Sequence, residues 1–283
     1  MDILPWQDLH LLPEDIWLTP EGWPNALLPG LSARARCFVY VQNWAYLLSC
    51  LPRNTDLSAL PLEFLAVSEP VARFVEMSLG KQAPILRPGI DTALFSPLSE
   101  QKDGQIVRIA FMPRKNKIFA RQIRELAEAR LHRRGFPFSL EWFSIEGRSQ
   151  AEVALMLKSA HIFLATGFPE GCSLPPLEAL ACGCVPVGFT GLGGWDYMRQ
   201  AADFPGVASP LWPLREVPWS GNGFYAADAD VPGAVFALEA ALDLFVRGGK
   251  NLEALRRAGQ TTAAAYSLTA QEQSVVTFWS KLA

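Results

Sequence analysis

The stretch 162–194, IFLATGFPEGCSLPPLEALACGCVPVGFTGLGG, constrains the fold of this chain more than any other part. It contains two short apolar runs, 162–165 and 185–189, which have the length and character of buried parallel strands. Between them, Ser173 is predicted to cap the start of a helix and Gly183 to end it. A strand, a helix and a second strand within about thirty residues form a βαβ crossover. The chain is therefore predicted to have an α/β fold with a parallel sheet.

The loops of this crossover place acidic side chains at the carboxyl edge of the predicted sheet. Glu170 lies on the loop before the helix, and Glu178 lies inside the helix. Pro175 and Pro176 fall in the first helical turn, where N–H groups have no intrahelical partner. A helix start at this edge carries the positive end of the helix dipole and suits a phosphate, while carboxylates accept hydrogen bonds from sugar hydroxyls. The spacing fits equally well an ordinary α/β unit in which a glutamate favours the helix dipole.

The same residues carry a resemblance to a known family. The segment PEGCSLPPLEALACGCVPVGF resembles the E-x7-E signature of the retaining glycosyltransferases of family 4, in which E-G-F-G is followed by E-A-x-A-x-G and then by P-V. The positions that match are Glu170, Gly171, Glu178, Ala179, Ala181, Gly183, Pro186 and Val187. Cys172 and Ser173 stand where the family usually has an aromatic residue and a glycine. The resemblance implies a GT-B fold, with two Rossmann-like domains facing across a cleft, and a nucleotide-sugar donor with no cofactor.

The resemblance also implies roles for individual residues. Glu170 would hold the hydroxyls of the donor sugar, and Glu178 the ribose of the nucleotide. Arg114 aligns with a family arginine after the first strand of the second domain, while Lys115 and Lys117 compete for the role of a nearby lysine. Cations at this turn neutralise a diphosphate leaving group; the alternative is a solvated run of charges. Arg114 and Glu170 are the predicted catalytic residues, and the other predicted donor-binding residues are Gly171, Cys172, Ser173, Leu174, Gly193 and Gly194.

A metal ion is not predicted. Asp228-Ala229-Asp230 matches the D-x-D pattern that holds a divalent cation in the other large glycosyltransferase fold, but these acids directly precede a predicted helix, 232–246. Helix-capping acids are the better explanation. The cysteines have no spacing typical of a zinc site or a disulfide framework, and we expect them to be reduced and buried; they are Cys37, Cys50, Cys172, Cys182 and Cys184.

The first part of the chain is predicted to form a shortened N-terminal domain. The expected elements are strands at 15–19, 37–41 and 65–68 and a helix over 69–79 that Ser68 caps. The segments LAVSEPVARFVE and ILRPGIDTALFSP resemble the end of the N-terminal domain in the same family. Because family members begin with further βα units, this domain would be incomplete. The chain is then a short natural variant, a fragment with a misplaced start, or half of an enzyme that a partner completes.

Asn43 follows the second of these strands, at a place where family members often carry a histidine near the acceptor. It is predicted either to lie on the acceptor side of the site or to act as a capping or turn residue. The predicted domains are 1–94 for the shortened acceptor-side domain, 95–105 for a linker, 106–268 for the nucleotide-sugar-binding domain, and 269–283 for a helix returning toward the first domain.

The amino-acid composition limits the classes of molecule that this chain is expected to bind. The 283 residues include 25 Lys and Arg and 28 Asp and Glu, a net charge of 25 − 28 = −3, and half are hydrophobic. This balance gives no basic excess for nucleic acid, and no signal peptide or membrane span is visible, so we expect a cytoplasmic globular protein. The expected partners are a nucleotide sugar and a glycan, lipid or protein acceptor; a partner chain, a homo-oligomer and peripheral membrane contact stay open. The alternative function is a non-catalytic or half-site chain that binds a nucleotide sugar.

Overall fold

The structure is a computed structural model, and it describes residues 10–98, 106–201, 204, 210 and 212–282. The chain divides into two compact units, an N-terminal unit of Met1–Leu86 and a C-terminal unit of Arg87–Ala283. The predicted N-terminal domain extended further, to residue 94. Most of the predicted linker, 99–105, lies outside the described residues.

The N-terminal unit is built on a three-stranded parallel sheet in the order β1-β2-β3. Its elements are β1 (Ile16–Pro20), α1 (Leu28–Ala33), β2 (Arg36–Val41), α2 (Trp44–Ser49), β3 (Leu62–Ala66) and α3 (Glu69–Leu79). The predicted bounds of the third strand, 65–68, were wrong. Glu63 is exposed between buried Leu62 and Phe64, so the strand begins with an alternating pattern rather than a continuous apolar run.

The C-terminal unit is built on a five-stranded parallel sheet in the order β5-β4-β6-β7-β8. The strands are β4 (Ile106–Phe111), β5 (Ser139–Ser144), β6 (Ile162–Ala165), β7 (Val185–Phe189) and β8 (Phe224–Ala226). The structure confirms β6 and β7, both of which are buried along their whole length. No local sequence pattern predicts β8, since a strand of three residues shows no periodicity.

Helices cover both faces of this sheet. They are α4 (Lys117–Arg134), α5 (Gln150–Ser159), α6 (Leu174–Ala181), α7 (Val231–Arg247) and α8 (Gly249–Ala265), whereas the last helix, α9 (Leu268–Trp279), has no buried residue. Side chains of α4 and α7 share one core cluster, whereas those of α5 and α6 belong to a second cluster on the other face. Burial on both faces explains why the central strands are apolar without interruption.

Local signals at several helix ends match the structure. Gly135 ends α4 in the left-handed conformation (φ 63°), which glycine adopts without steric cost. Ser149 and Glu152 form a capping box at the start of α5. Ser68 caps α3 by accepting a hydrogen bond from the Val71 N–H.

No helix among the described residues has both the length and the hydropathy that crossing a membrane requires.

The segment that opens the C-terminal unit is fixed to the junction of α8 and α9. The Ile90 N–H donates to the Tyr266 carbonyl (2.8 Å), and the Leu268 N–H donates to the Ile90 carbonyl (3.0 Å). A Cβ on Gly89 would lie 2.6 Å from the carbonyl oxygen of Ser267, so this crossing needs a glycine. These contacts explain why residues after Leu86 belong with the second unit.

Candidate functional site

The strand order of the C-terminal sheet creates a crevice at its carboxyl edge. The chain passes from β4 to β5 on one side and returns to β6 on the other side of β4. The connections after β4 and β6 therefore lead to α4 and α6, whose side chains belong to core clusters on opposite faces of the sheet. In open α/β sheets, such a switch point is where ligands bind.

A cavity with about 50 Å³ of water-accessible space lies at this switch point. The lining residues that matter for the predictions are Arg114, Lys115, Glu170, Ser173, Pro175 and Pro176. They come from the β4–α4 loop, the β6–α6 loop and the first turn of α6. The structure thus brings both predicted catalytic residues, Arg114 and Glu170, to one cavity.

The cations of the β4–α4 loop differ in their surroundings. The Lys115 Nζ lies 2.8 Å from Glu170 Oε1, and the two side chains are 34% and 18% exposed. Arg114 is exposed and has no hydrogen-bond or ion-pair partner among the described residues. Lys117 is also exposed, but it is the first residue of α4 and does not line the cavity. Of the two competing lysines, the structure favours Lys115.

Asn116 joins the two loops that carry these charges. Its Nδ2 donates to the carbonyl oxygens of Thr166 and Phe168, both at 2.9 Å. Its backbone is left-handed (φ 60°), which asparagine tolerates better than most residues with a side chain. Sequence reasoning missed this role, because the contact depends on β4 and β6 being neighbours in the sheet.

The Glu170 loop is bound to the glycine-rich loop after β7. The Glu170 N–H donates to the Gly191 carbonyl (2.9 Å), and the Gly193 N–H donates to the Glu170 carbonyl (3.1 Å). The Gly194 N–H donates to the Thr190 carbonyl (2.9 Å). Gly193 and Gly194 are buried, and their N–H groups are already used inside the protein. These two N–H groups therefore already have partners inside the protein, and a donor-binding role for Gly193 and Gly194 stays a prediction.

The two acids of the D-x-D pattern have separate roles. Asp230 caps α7 by accepting a hydrogen bond from the Gly233 N–H (2.9 Å), as predicted. Asp228 instead accepts from the Gly191 N–H (2.8 Å), so capping of the helix is the wrong explanation for it. Burial raises the pKa of Asp228, and backbone N–H groups of the glycine-rich loop oppose that rise. Within the described ranges, no three His, Cys, Asp or Glu side chains are grouped as metal ligands.

Ser173 begins α6 without capping it. The residue stands at the N-cap, as predicted, but its side chain makes no capping hydrogen bond. A serine hydroxyl at this position accepts from the N–H of the second or third helical residue. These residues are Pro175 and Pro176, which have no N–H. Leu174 carries the only N–H of the first three helical residues, so the helix start offers an anion fewer donors than predicted.

Glu178 is a partly buried carboxylate one helical turn after Leu174. Within the part of the chain that the structure describes, its side chain makes no hydrogen bond or ion pair. Burial raises the pKa of Glu178 to about 7, from an ordinary value of 4.5. It is not among the cavity-lining residues but follows Pro175 and Pro176, which are. An acid that burial keeps partly protonated beside a crevice is typical of a functional site.

Asp196 follows the glycine-rich loop and anchors the structure behind it. It is fully buried and accepts two hydrogen bonds from Arg87, at 2.6 and 3.0 Å, and a third from the Tyr266 hydroxyl. The Arg215 Nε donates to its backbone carbonyl (2.9 Å).

Burial and the charge of Asp196 hold the pKa of the Cys172 thiol well above its ordinary value, so this predicted donor-site residue is a neutral thiol.

Asn43 lies in the N-terminal unit and caps α2. Its side chain accepts a hydrogen bond from the Ala45 N–H (3.0 Å). The Glu21 carboxylate accepts from the N–H groups of Asn43 (2.8 Å) and Gln42 (2.9 Å). The capping alternative is therefore observed, and an acceptor role for Asn43 stays a prediction.

Among the cysteines, Cys37, Cys182 and Cys184 are buried, but Cys50 is exposed and Cys172 partly so, which corrects the expectation that all are buried.

Comparison with known proteins gives one relative in sequence and many in fold. No protein-family model matches the chain. An alpha-1,6-glucosyltransferase of Actinobacillus pleuropneumoniae serotype 7 (strain AP76) is 25% identical over 193 residues. The match covers 65% of this chain but only 56% of the relative's length.

Solved structures of low sequence identity share the architecture. A sucrose-phosphate synthase from Thermosynechococcus elongatus aligns over 94% of this chain and 73% of its own, with a TM-score of 0.63 and 11% identity. An alpha,alpha-trehalose-phosphate synthase from Burkholderia xenovorans aligns over 94% and 74%, with a TM-score of 0.59 and 11% identity. TarM of S. aureus aligns over 92% and 54%, with a TM-score of 0.60 and 8% identity. The fold is therefore the α/β fold with parallel sheets of the GT-B glycosyltransferases.

Proposed function

We propose that this chain is a glycosyltransferase that takes a sugar from a nucleotide-sugar donor. The observation that carries the proposal is the cavity at the switch point of the C-terminal sheet, where Arg114, Lys115 and Glu170 meet the start of α6. The glucosyltransferase relative supports the class of reaction, and it makes a glucosyl donor the first to test.

The donor diphosphate would bind beside Arg114 and Lys115. Arg114 has no internal partner among the described residues, so its guanidinium can form bidentate hydrogen bonds with phosphate oxygens. Lys115 would exchange part of its contact with Glu170 for a phosphate. This partly exposed ion pair is worth about 1 kcal/mol or less, so a ligand can displace it at little cost. The same cations would stabilise the charge that develops on the leaving diphosphate.

The carboxylates would bind the hydroxyl groups of the donor. Glu178 would accept hydrogen bonds from the ribose, and Glu170 from the sugar. Both have acceptor capacity for this role, since Glu178 has no described partner and Glu170 Oε1 is shared only with Lys115. The proposed assignment to family 4 rests on this pair and on the E-x7-E spacing.

We propose transfer with retention of configuration and without a metal ion. The acceptor oxygen would bond to the anomeric carbon while the bond from that carbon to the diphosphate oxygen breaks. The acceptor proton would pass to the leaving diphosphate on the same face of the sugar. The protein then contributes positioning and charge stabilisation rather than a covalent intermediate.

A thermal-shift screen of UDP, GDP, ADP and dTDP, alone and as nucleotide sugars, tests the proposal. A ligand that binds only the folded state raises its melting temperature. We expect one nucleoside diphosphate to give a clear rise that Arg114→Ala removes, and transfer or hydrolysis of the matching sugar. Binding without any turnover would instead favour the half-site alternative, and no shift with any ligand would contradict the donor site itself.

A further inference from the structure

We propose that the Ser173 hydroxyl is a ligand-binding group that donates a hydrogen bond to the distal phosphate of the donor. Two prolines keep it from capping its own helix. The inference rests on the proposed function, because it assumes that a nucleoside diphosphate binds in the cavity at the switch point.

The first observation is that Ser173 is largely buried, whereas its hydroxyl oxygen keeps solvent access and has no partner among the described residues. Ser173 is only 8% exposed and lines the cavity together with Lys115 and Glu170. Its side chain makes no hydrogen bond to any described residue. A hydroxyl at a cavity wall that has no internal partner can donate and accept hydrogen bonds there. Its place in the cavity wall therefore leaves it available to a ligand.

The second observation is that the same residue type caps other helices of this chain. Ser68, Ser149 and Ser267 each accept a hydrogen bond from the third helical residue, at 3.3, 3.3 and 3.2 Å. At α6 that residue is Pro176, and the residue before it is Pro175. The cap is therefore missing because the N–H donors are missing, and not because serine is badly placed.

The surroundings of the hydroxyl suit a phosphate oxygen. The positive end of the α6 dipole and the Arg114 and Lys115 side chains border the same cavity. Pro175 and Pro176 remove two of the N–H groups that a helix start usually offers to an anion. The Ser173 hydroxyl restores one donor at that place, next to the Leu174 N–H. A serine oxygen that is not already accepting a capping bond is free to rotate its proton toward the ligand.

Ser173→Ala tests the role directly, with Ser149→Ala as the matched control. We expect Ser173→Ala to weaken binding of the preferred nucleoside diphosphate about tenfold, to leave binding of the monophosphate unchanged, and to keep the melting temperature within about 1 °C. Ser149→Ala removes a true cap, so it should lower the melting temperature by about 2–4 °C with no change in affinity.

Pro176→Ala tests the role of the prolines, because it returns an N–H at the third helical position. That N–H should capture the Ser173 oxygen as a cap, raising the melting temperature and weakening diphosphate binding as much as Ser173→Ala does. In the double variant Ser173→Ala/Pro176→Ala, the two losses of affinity should not add. Pro175→Ala places the N–H one residue earlier and should act in the same direction.

The inference is overturned if the wild-type protein binds a nucleoside diphosphate and Ser173→Ala binds it equally well. It is also overturned if Ser173→Ala lowers the melting temperature as much as Ser149→Ala does, since the hydroxyl would then be a structural cap. A wild-type protein that binds no nucleoside diphosphate would contradict the proposed function and this inference together.

Discussion

The helix starts that follow the two parallel sheets differ in how their polar groups are satisfied. In the N-terminal unit, Asn43 caps α2, Ser68 caps α3, and both oxygens of Glu21 accept backbone N–H groups. In the C-terminal unit, Ser149 and Asp230 cap α5 and α7, but Ser173 caps nothing and Glu178 has no partner among the described residues. One edge is closed by its own hydrogen bonds, whereas the other retains groups that a ligand can satisfy.

This difference identifies the polar groups that are still able to form hydrogen bonds with a ligand. Unpaired buried polar groups are costly, so a folded protein retains few of them away from functional sites. Among the described residues, the buried Trp142 Nε1 and Arg256 Nε also lack a hydrogen-bond partner, but Ser173 and Glu178 lie at or beside the switch point of the C-terminal sheet, where strand order alone also predicts a ligand. The difference between the helix starts of the two units therefore supports the proposed donor site in the C-terminal unit, and this support does not depend on the E-x7-E motif.

The largest effect is expected from Arg114→Ala. It removes a cavity-lining cation that has no partner among the described residues, so kcat/KM for the nucleotide sugar should fall by about a hundredfold or more. Because Arg114 is exposed and makes no described contact, the melting temperature should hardly change. Lys117→Ala, at the first residue of α4 and away from the cavity, is the control and should change kcat/KM less than about twofold. Equal losses in both variants would indicate a general electrostatic effect.

Glu178→Gln should weaken nucleotide binding about tenfold and make stability less sensitive to pH. The folded-state pKa is about 7 and the ordinary value 4.5, so the wild-type protein loses stability as pH rises between these values. Glutamine does not ionise. The variant should therefore gain about 1–3 kcal/mol relative to wild type between pH 5 and pH 8, measured by urea unfolding.

The same carboxylate should make nucleotide affinity depend on pH. Ribose hydroxyls bind the ionised form of Glu178 better, so wild-type affinity should rise as pH passes through about 7. Glu178→Gln should bind a nucleotide sugar, whose diphosphate has no ionisation near pH 7, equally weakly at pH 6 and pH 8. A wild-type affinity that is constant over this range, while the variant still binds weakly, would contradict ionisation as the cause.

Asn116→Ala should lower kcat/KM by about tenfold, less than Arg114→Ala does. The reason is that the loops carrying Arg114 and Glu170 would no longer be held in place. Asn116→Gly is the matched control for the backbone, because it keeps the left-handed conformation (φ 60°) but not the two bonds to the β6–α6 loop. If the bonds matter, both variants lose activity. If only Asn116→Ala does, backbone conformation is the cause.

Asn43→Ala should have the smallest effect on the site. It removes the cap of α2 and should cost about 1 kcal/mol of unfolding free energy, measured by urea titration. Nucleotide affinity should stay as in the wild type, because the closed edge has no role in binding the donor. A loss of nucleotide affinity in this variant would show that the two edges do not differ as described.

The crossover around α6 could be predicted from sequence because its strands are apolar and its helix has a serine and a glycine at its ends. The predicted position of Ser173 at the start of α6 is confirmed. The predicted capping hydrogen bond is wrong, because Pro175 and Pro176 have no N–H group to donate. The Arg87–Asp196 pair could not be predicted, since the two residues are 109 positions apart. The bridge that Asn116 makes depends on strand order, which no local pattern specifies.

Calorimetric titration of the preferred nucleoside diphosphate into three proteins tests the central claim, that the donor binds at the switch point of the C-terminal sheet. We expect tight binding to the wild type and to Asn43→Ala, and no measurable binding to Arg114→Ala. Wild-type affinity in Arg114→Ala, or lost affinity in Asn43→Ala, would contradict it.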